Sequence, residues 1–172
     1  MKVVDDNDDN NNDDASNEQS APNYAGNIIY ILAGLPEFLR KPMMRNRLNE
    51  FFALQDEDRV EMIRNVVDAL PSMDMNTVAR LFKTWLELLY EFGDEERDGI
   101  FSIYARVMAS DVGKVARIDF APLLDTFNSL DESIRSATIA SIKHVLQDMD
   151  EERRNLLLKS IPTNLLRRVG LV

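Results

Sequence analysis

The chain has 172 residues, 30 acidic and 20 basic side chains, a net charge of −10, no cysteine and one histidine. The length suits a single domain, and the missing thiols exclude disulfide scaffolds, thiolate zinc sites and cysteine nucleophiles. The lone imidazole of His144 excludes sites that need two histidines, and the six glycines match no P-loop, dinucleotide fingerprint or nucleophile elbow. The sequence therefore predicts no catalytic residue, no metal site and no cofactor.

The first 26 residues differ in composition from the rest of the chain. They carry seven acidic side chains against Lys2, a net charge of −6, which leaves −4 of the total for residues 27–172. Residues 5–14 are aspartate and asparagine alone, and such a stretch buries too little apolar surface to offset the entropy lost on ordering. We therefore expect a disordered, acidic, Asp/Asn-rich tail over 1–26 and a single all-α domain over 27–172.

From residue 27 onward, apolar side chains recur at the three- and four-residue spacing of amphipathic helices. In the clearest stripe, over 76–92, Leu86 and Tyr90 widen the apolar face, which predicts a central helix with neighbours on more than one side. The pattern indicates an all-α fold of seven or eight helices, in a bundle or in a short superhelix of antiparallel helix pairs. The predicted helices are 27–34, 42–53, 57–69, 76–92, 95–109, 120–128, 131–148 and 151–160, with a short turn near 163–169.

A short acidic motif recurs along the chain. Asp-Glu-x-Arg stands at 56–59, 94–97 and 150–153, and Asp131-Glu132 is a looser copy. An aspartate at the N-cap accepts hydrogen bonds from free backbone N–H groups, and acids in the first turn favour the positive end of the helix dipole. The motif therefore indicates either several well-capped helices or a true repeat array of stacked helix pairs.

A helix that begins at Asp-Glu-x-Arg and ends at Leu-Pro or Ile-Pro, as in residues 56–71 and 150–162, resembles α-helical repeat proteins of the HEAT type. It is also similar to the superhelical N-terminal domains of some magnesium transporters. The resemblance implies a HEAT-like superhelix whose curved surface binds other proteins.

Basic side chains form two groups, one in the second predicted helix and one near the C-terminus. Such groups are either charged, solvated helix faces or binding sites for an acidic protein or a phosphate backbone. A further hypothesis is that the acidic tail of the same chain docks on them. The candidate partner-binding residues are Arg40, Lys41, Arg45, Arg47, Arg167 and Arg168.

These observations favour a non-catalytic protein–protein interaction module or adaptor with a protein partner. Association with nucleic acid or nucleoprotein through the basic side chains is a disfavoured alternative, because phosphate neutralisation dominates affinity for a polyanion and residues 27–172 are themselves acidic. A second alternative is a small-molecule binder or enzyme with an internal helical pocket.

The helix predicted over 131–148 contains His144 and several small side chains. Asp148 follows His144 by four residues, so a pair on the helix surface is expected. The small side chains allow a second helix to come close, either within the fold or as a groove for a partner helix. They are Ser133, Ser136, Ala137, Ala140 and Ser141.

The sequence also bears on the location of the protein. No apolar run reaches the ~20 residues that a membrane-spanning helix needs. The N-terminus turns acidic at Asp5, where the apolar core of a signal peptide would begin. We therefore expect a soluble, cytoplasmic protein with no membrane insertion.

Overall fold

The structure, a computed structural model, describes residues 24–171. Within that range it contains ten α-helices and one 3₁₀ turn but no β-strand, which confirms the all-α prediction. The predicted acidic tail, apart from its last three residues, lies outside the described residues, and so does its docking on the basic side chains. The helices are α1 (Tyr24–Gly34), α2 (Glu37–Ala53), α3 (Asp56–Ala69), α4 (Met75–Phe92), α5 (Asp94–Ser110), α6 (Val112–Val115), α7 (Ala121–Asn128), α8 (Glu132–Asp148), α9 (Glu151–Ser160) and α10 (Thr163–Arg168), and the 3₁₀ turn is Leu70–Ser72.

Helices α1 and α2 both begin earlier than the sequence predicts. α1 begins at Tyr24, and α2 begins at Glu37 and continues through Pro42, where the prediction had placed its start. Inside a helix, a proline leaves the carbonyl four residues earlier, here that of Phe38, without its N–H partner. Phe38 is largely exposed, so water can bond this carbonyl, while burial of Met44 further along stabilises the helix.

Two helices are very short. α6 has four residues in a segment that the sequence left as a connection, and α10 has six residues within the predicted terminal turn. Asp111 caps α6 by accepting the N–H of Lys114 at 3.1 Å. A single turn is too short to show the periodicity on which helix prediction depends, so α6 was not predicted.

The helices pack in two layers. One layer consists of α1, α4 and α7, in which α4 contacts both neighbours, and the other consists of α3, α5 and α8, in which α5 contacts both neighbours. The layers meet where α1 packs on α3 and where α4 packs on α5 and α8. α2 packs on α1 and α4, and α9 packs on α5, α6 and α10. This arrangement leaves a space between the layers.

Helix α4 is the centre of the core. Leu86, Leu88 and Leu89 are almost completely buried, because α4 packs on helices of both layers. Its apolar surface is therefore wider than the single stripe of a surface helix. Phe82 and Trp85 belong to the same predicted stripe but are only half-buried, because they line the space between the layers.

A single residue, Gly93, joins α4 to α5. Its φ of 113° lies in a region that residues with a side chain rarely adopt. The short link keeps α5 beside α4, where Trp85 makes edge contacts with the rings of Phe101 and Tyr104. A glycine at this position is therefore part of what brings the two layers together.

Arginines near the start of several helices bond the end of the helix before them. Arg59 of α3 donates to the carbonyl oxygen of Phe52 in α2 at 2.6 Å, and Arg135 of α8 donates to that of Leu130 after α7 at 2.6 Å. These bonds satisfy carbonyls that a helix end leaves free. In the same way, Arg40 donates to the carbonyl oxygen of Leu35, and Arg154 donates to that of Leu146.

The aspartates of the repeated motif act as caps less often than predicted. Asp150 caps α9 by accepting the N–H of Arg153 at 2.9 Å. Asp56 and Asp94 are instead the first residues of α3 and α5, and Asp131 stands at the start of α8 without a side-chain cap bond. Acids in these first turns still lie at the positive end of the helix dipole.

Candidate functional site

An apolar cavity, here named the groove, lies between the two layers and opens to solvent. Its volume of about 860 Å³ falls within the range of roughly 300–1,000 Å³ that is typical of ligand pockets. Among the described helices, all but α6 contribute to its wall. Buried residues of the wall include Ile63, Val78, Leu81, Ile100, Val145 and Leu157.

Trp85 is the centre of an aromatic group on the groove wall. Its ring centroid lies 5.9 Å from that of Phe82, 5.7 Å from that of Phe101 and 5.6 Å from that of Tyr104. Stacked and edge-to-face contacts of this kind fix the positions of the rings. Because Trp85 is the only tryptophan of the chain, its fluorescence reports directly on the groove.

Tyr104 brings a hydroxyl group to this aromatic wall. Burial raises the pKa of the Tyr104 hydroxyl well above its ordinary value, so the group is protonated and able to donate a hydrogen bond at neutral pH. Within residues 24–171 it has no hydrogen-bond partner. The interior of the groove therefore offers one hydroxyl group in an otherwise apolar wall around Trp85.

Polar side chains gather at the mouth of the groove on α2 and α3. Arg47 and Glu50 of α2 form an ion pair with an N–O distance of 2.7 Å. Asp58, Glu61 and Asn65 of α3 also line the groove, and all three are exposed. The groove thus has an apolar interior and a polar rim in which carboxylates outnumber cations.

Apolar side chains continue from the mouth onto the surface. Ile28 and Met62 line the groove, and each is 45% exposed. Ile31, one turn after Ile28, is 63% exposed. Phe38 of α2, which does not line the groove, is 75% exposed. In the described part of the chain, residues 28–43 hold six of the nine exposed large apolar side chains. Apolar surface of this kind marks interaction sites.

Two of the predicted partner-binding residues, Arg40 and Arg47, form bonds with other groups of the same chain. Arg40 donates to the carbonyl oxygens of Leu35 at 2.8 Å and of Arg80 at 3.1 Å. It therefore links the end of α1 to α4. Arg47 is exposed at the rim of the groove, where it pairs with Glu50.

Lys41 and Arg45 share one carboxylate, that of Glu91 near the end of α4. The Nζ atom of Lys41 lies 2.7 Å from Oε1, and Arg45 pairs with Oε2. Hydrogen bonds from Lys41 and then Arg45 hold the pKa of Glu91 below its usual range. The guanidinium of Arg45 also lies 5.9 Å from the ring centre of Phe92. These contacts fasten α2 to α4.

The C-terminal pair of basic residues lies on α10. Arg168 approaches Asp125 of α7 to 3.3 Å, and Arg167 is exposed. Lys41 and Arg45 of α2 thus meet at Glu91 of α4, whereas Arg168 contacts Asp125 of α7.

Buried polar side chains join α5 to α8. Arg97 is only 3% exposed, donates from Nε to the Ser141 hydroxyl at 2.8 Å and pairs with Asp94. Ser141 is one of the small residues singled out in the sequence, and its contact with Arg97 belongs to packing within the fold. Ser133 and Ala140 of the same helix are exposed.

His144 extends the contact between α5 and α8 toward solvent. Its Nδ1 lies 2.7 Å from Asp98 Oδ2, and its Nε2 lies 3.5 Å from Asp148 Oδ2, the predicted neighbour on α8. The hydrogen bond with Asp98, followed by the charge of Asp148, raises the pKa of His144. His144 does not line the groove, and its two contacts belong to the junction of helices.

Comparison with known proteins gives no match, since no family model, curated protein or solved structure is similar to the chain. Across residues 24–171, no three His, Asp or Glu side chains are grouped so that they could hold a metal ion. No helix in that range is long and apolar enough to cross a membrane. The groove and its rim are therefore the feature on which a functional proposal can be built.

Sequence reasoning included an internal helical pocket as an alternative but did not locate the groove or its lining residues. It placed Phe82 and Trp85 on an apolar stripe and interpreted that stripe as core. Helical spacing identifies an apolar face but not whether the opposite element fills the space in front of it. The available signal was the unusual width of the apolar surface over 76–92, together with the position of Met62 four residues after Asp58 and next to Glu61, on the polar face of the predicted helix 57–69.

Proposed function

We propose that this protein is a non-catalytic interaction module that binds a helical segment of a protein partner in the groove. The observation that carries the proposal is an apolar cavity of about 860 Å³ that no described side chain fills. Amphipathic helices bind to grooves of this type by inserting apolar side chains spaced three and four residues apart.

The distribution of polar atoms supports a helix as the occupant. Small-molecule sites surround most of their ligand and place several polar groups inside the pocket. Here the polar side chains stand at the mouth, and Tyr104 supplies the one unpaired hydroxyl within the described wall. A helix matches this distribution, because its apolar face enters the groove while its polar face remains at the rim.

The exposed apolar side chains next to the groove also support binding of a protein. Ile28 and Met62 stand at the mouth, and Ile31 extends the apolar surface along α1. A protein helix longer than the cavity would cover these side chains, whereas a small ligand enclosed in the cavity would leave them in water. Burial of each such side chain contributes about 1–2 kcal/mol to binding.

The proposal excludes catalysis because the groove lacks the arrangement that general acid–base or nucleophilic chemistry needs. Such chemistry requires a nucleophile and a base within hydrogen-bond reach of each other. In the described part of the chain, the one histidine is bonded to Asp98 and Asp148 outside the groove. The carboxylates of the rim are exposed side chains of α2 and α3.

Trp85 fluorescence tests the proposal on the full chain. The probe is a synthetic helical peptide of about 18 residues, five turns, with leucines at positions i, i+3, i+4 and i+7 and equal numbers of lysine and glutamate elsewhere. We expect a saturable change in the emission of Trp85. The double variant Ile28→Ser, Met62→Ser weakens binding by about tenfold or more, equivalent to ~1.4 kcal/mol.

Leu156→Ser is the matched control, because Leu156 is also 45% exposed but does not line the groove. It should leave the affinity unchanged. The proposal is wrong if saturating peptide does not alter the emission of Trp85, or if Leu156→Ser weakens binding as much as the double variant. It is also wrong if decanoate, or a second copy of the chain, occupies the groove and the peptide cannot displace it.

A further inference from the structure

The acidic side chains of α3 differ in their contacts. Asp56 pairs with Arg106 of α5 at 3.4 Å, and Asp68 pairs with Lys114 of α6 at 2.6 Å. Asp58 and Glu61 line the groove instead, and no described residue forms an ion pair with either of them. Glu57, the fifth acid of α3, is exposed, does not line the groove and forms no ion pair with a described residue. The two acids that contact α5 and α6 are thus neutralised, whereas the two that line the groove are not.

The two unpaired carboxylates flank the apolar side chain at the mouth. Asp58, Glu61, Met62 and Asn65 are three and four residues apart, so they lie on one face of α3. All four line the groove. Across from them, Arg47 carries the one positive charge among the described lining residues, and it is already paired with Glu50. The rim therefore has an uncompensated charge of −2.

We propose that the partner helix is basic, with lysine or arginine side chains along the border of its apolar face. This inference rests on the proposed function and adds the charge of the ligand to it. The apolar face of the helix would enter the groove while its cations approach Asp58 and Glu61 at the rim. Ion pairs at such an exposed rim raise the association rate and set partner choice more than they raise affinity.

The charge of the rim also opposes binding of three other occupants. An acidic helix or an anionic amphiphile would bring like charges to Asp58 and Glu61. The N-terminal segment 1–26 has a net charge of −6, so the same repulsion opposes its entry into the groove. The overall charge of −10 instead attracts a basic partner from a distance at low ionic strength.

Two peptides of matched helix propensity test the inference on the full chain. Both have the leucine pattern of the first probe, and one carries lysine at every flanking position where the other carries glutamate. At about 20 mM salt, where charges are weakly screened, we expect the lysine peptide to bind at least about tenfold more tightly, read from Trp85 emission. At about 0.5 M salt the preference should fall to within about threefold.

The double variant Asp58→Asn, Glu61→Gln should remove most of the preference, because it neutralises the rim without changing its shape. Glu151→Gln, Glu152→Gln is the control: it changes the net charge equally, at exposed positions of α9 outside the groove. It should retain most of the preference for lysine, since only distant charge is altered.

The possible results separate this inference from the proposed function. If neither peptide nor the mixed-charge probe changes Trp85 emission, the proposed function fails. If both peptides bind equally at low salt, the groove still binds helices and the basic partner is wrong. If the preference persists in the variant Asp58→Asn, Glu61→Gln, or falls equally in the control, the rim does not select charge and the inference is overturned.

Discussion

The junction of α5 with α8 and the groove between the layers are both contacts between helices, but they are built in opposite ways. At the junction, the buried guanidinium of Arg97 bonds Ser141 and Asp94. In the groove, the walls around Trp85 are apolar, and the space between them is about 860 Å³. One contact is closed and polar, and the other is open and apolar.

The difference teaches which contact is stabilised by groups within the fold itself. Buried polar groups are stabilised by their hydrogen bonds. Arg97 makes such bonds within the fold, to Ser141 and Asp94, although Oδ1 of Asp98 in the same junction has no partner among the described residues. Apolar surface is stabilised by removal from water, and the described chain leaves Ile28 and Met62 at the groove partly in water. The junction is therefore interpreted as structural, and the groove as the place where a partner completes the packing.

The largest loss of stability should come from a substitution in the filled core beside the groove. Leu88→Ala removes a side chain with no exposed surface and should lower the free energy of unfolding by about 3–5 kcal/mol. Met62→Ala, at the mouth of the groove, should lower it by less than about 1 kcal/mol. Urea denaturation followed by circular dichroism measures both. Equal losses would mean that the groove wall is as tightly packed as the core.

The polar junction should show the next largest effect. Ser141→Ala leaves the Nε of buried Arg97 without its acceptor and should reduce the free energy of unfolding by about 1–3 kcal/mol. Ser133→Ala, an exposed position on the same helix, should change it by less than about 0.5 kcal/mol. Peptide binding should be the same in both variants. Loss of binding in Ser141→Ala would contradict the separation between junction and groove.

The smallest effect should come from the exposed end of the junction, where solvent screens the His144–Asp98 pair. The pKa of His144 is raised, because its protonated form is stabilised in the folded state. The pair therefore stabilises the fold fully below the unfolded-state pKa of about 6.5. This contribution is lost as the pH rises through the folded-state pKa. NMR titration of the single histidine should give a midpoint above 6.5. Asp98→Asn should lower that midpoint, and an unchanged midpoint would contradict the assigned cause.

Most of the fold could be predicted because its helices are long and periodic. The stripe over 76–92 became α4, and the predicted ends near Pro36, Pro71 and Pro162 agree with the observed helices. The early start of α2 was missed because a proline was taken as a boundary, although an exposed carbonyl tolerates it. The single turn of α6 was missed because it spans less than one period.

The candidate site was harder to predict because it is an unfilled space between helices, and the residue pattern of a single helix does not show such a space. The sequence identified Arg40, Lys41 and Arg45 as a basic group, but the acceptors that engage them lie elsewhere in the chain, at Arg80 and Glu91. Pairing across such distances is a property of the tertiary fold. The prediction that these side chains bind a partner stays a prediction, and the fold has given them structural contacts.

The central claim, that the groove binds a helix, is tested most directly by NMR of the methionine methyl groups in the full chain. The chain has eight methionines, and titration with the lysine peptide compares those in the groove with those outside it. We predict large shifts for Met44, Met62 and Met108, which line the groove, and small shifts for Met43, Met73 and Met149, which do not. Shifts confined to Met43, or equal at all six, would contradict the account.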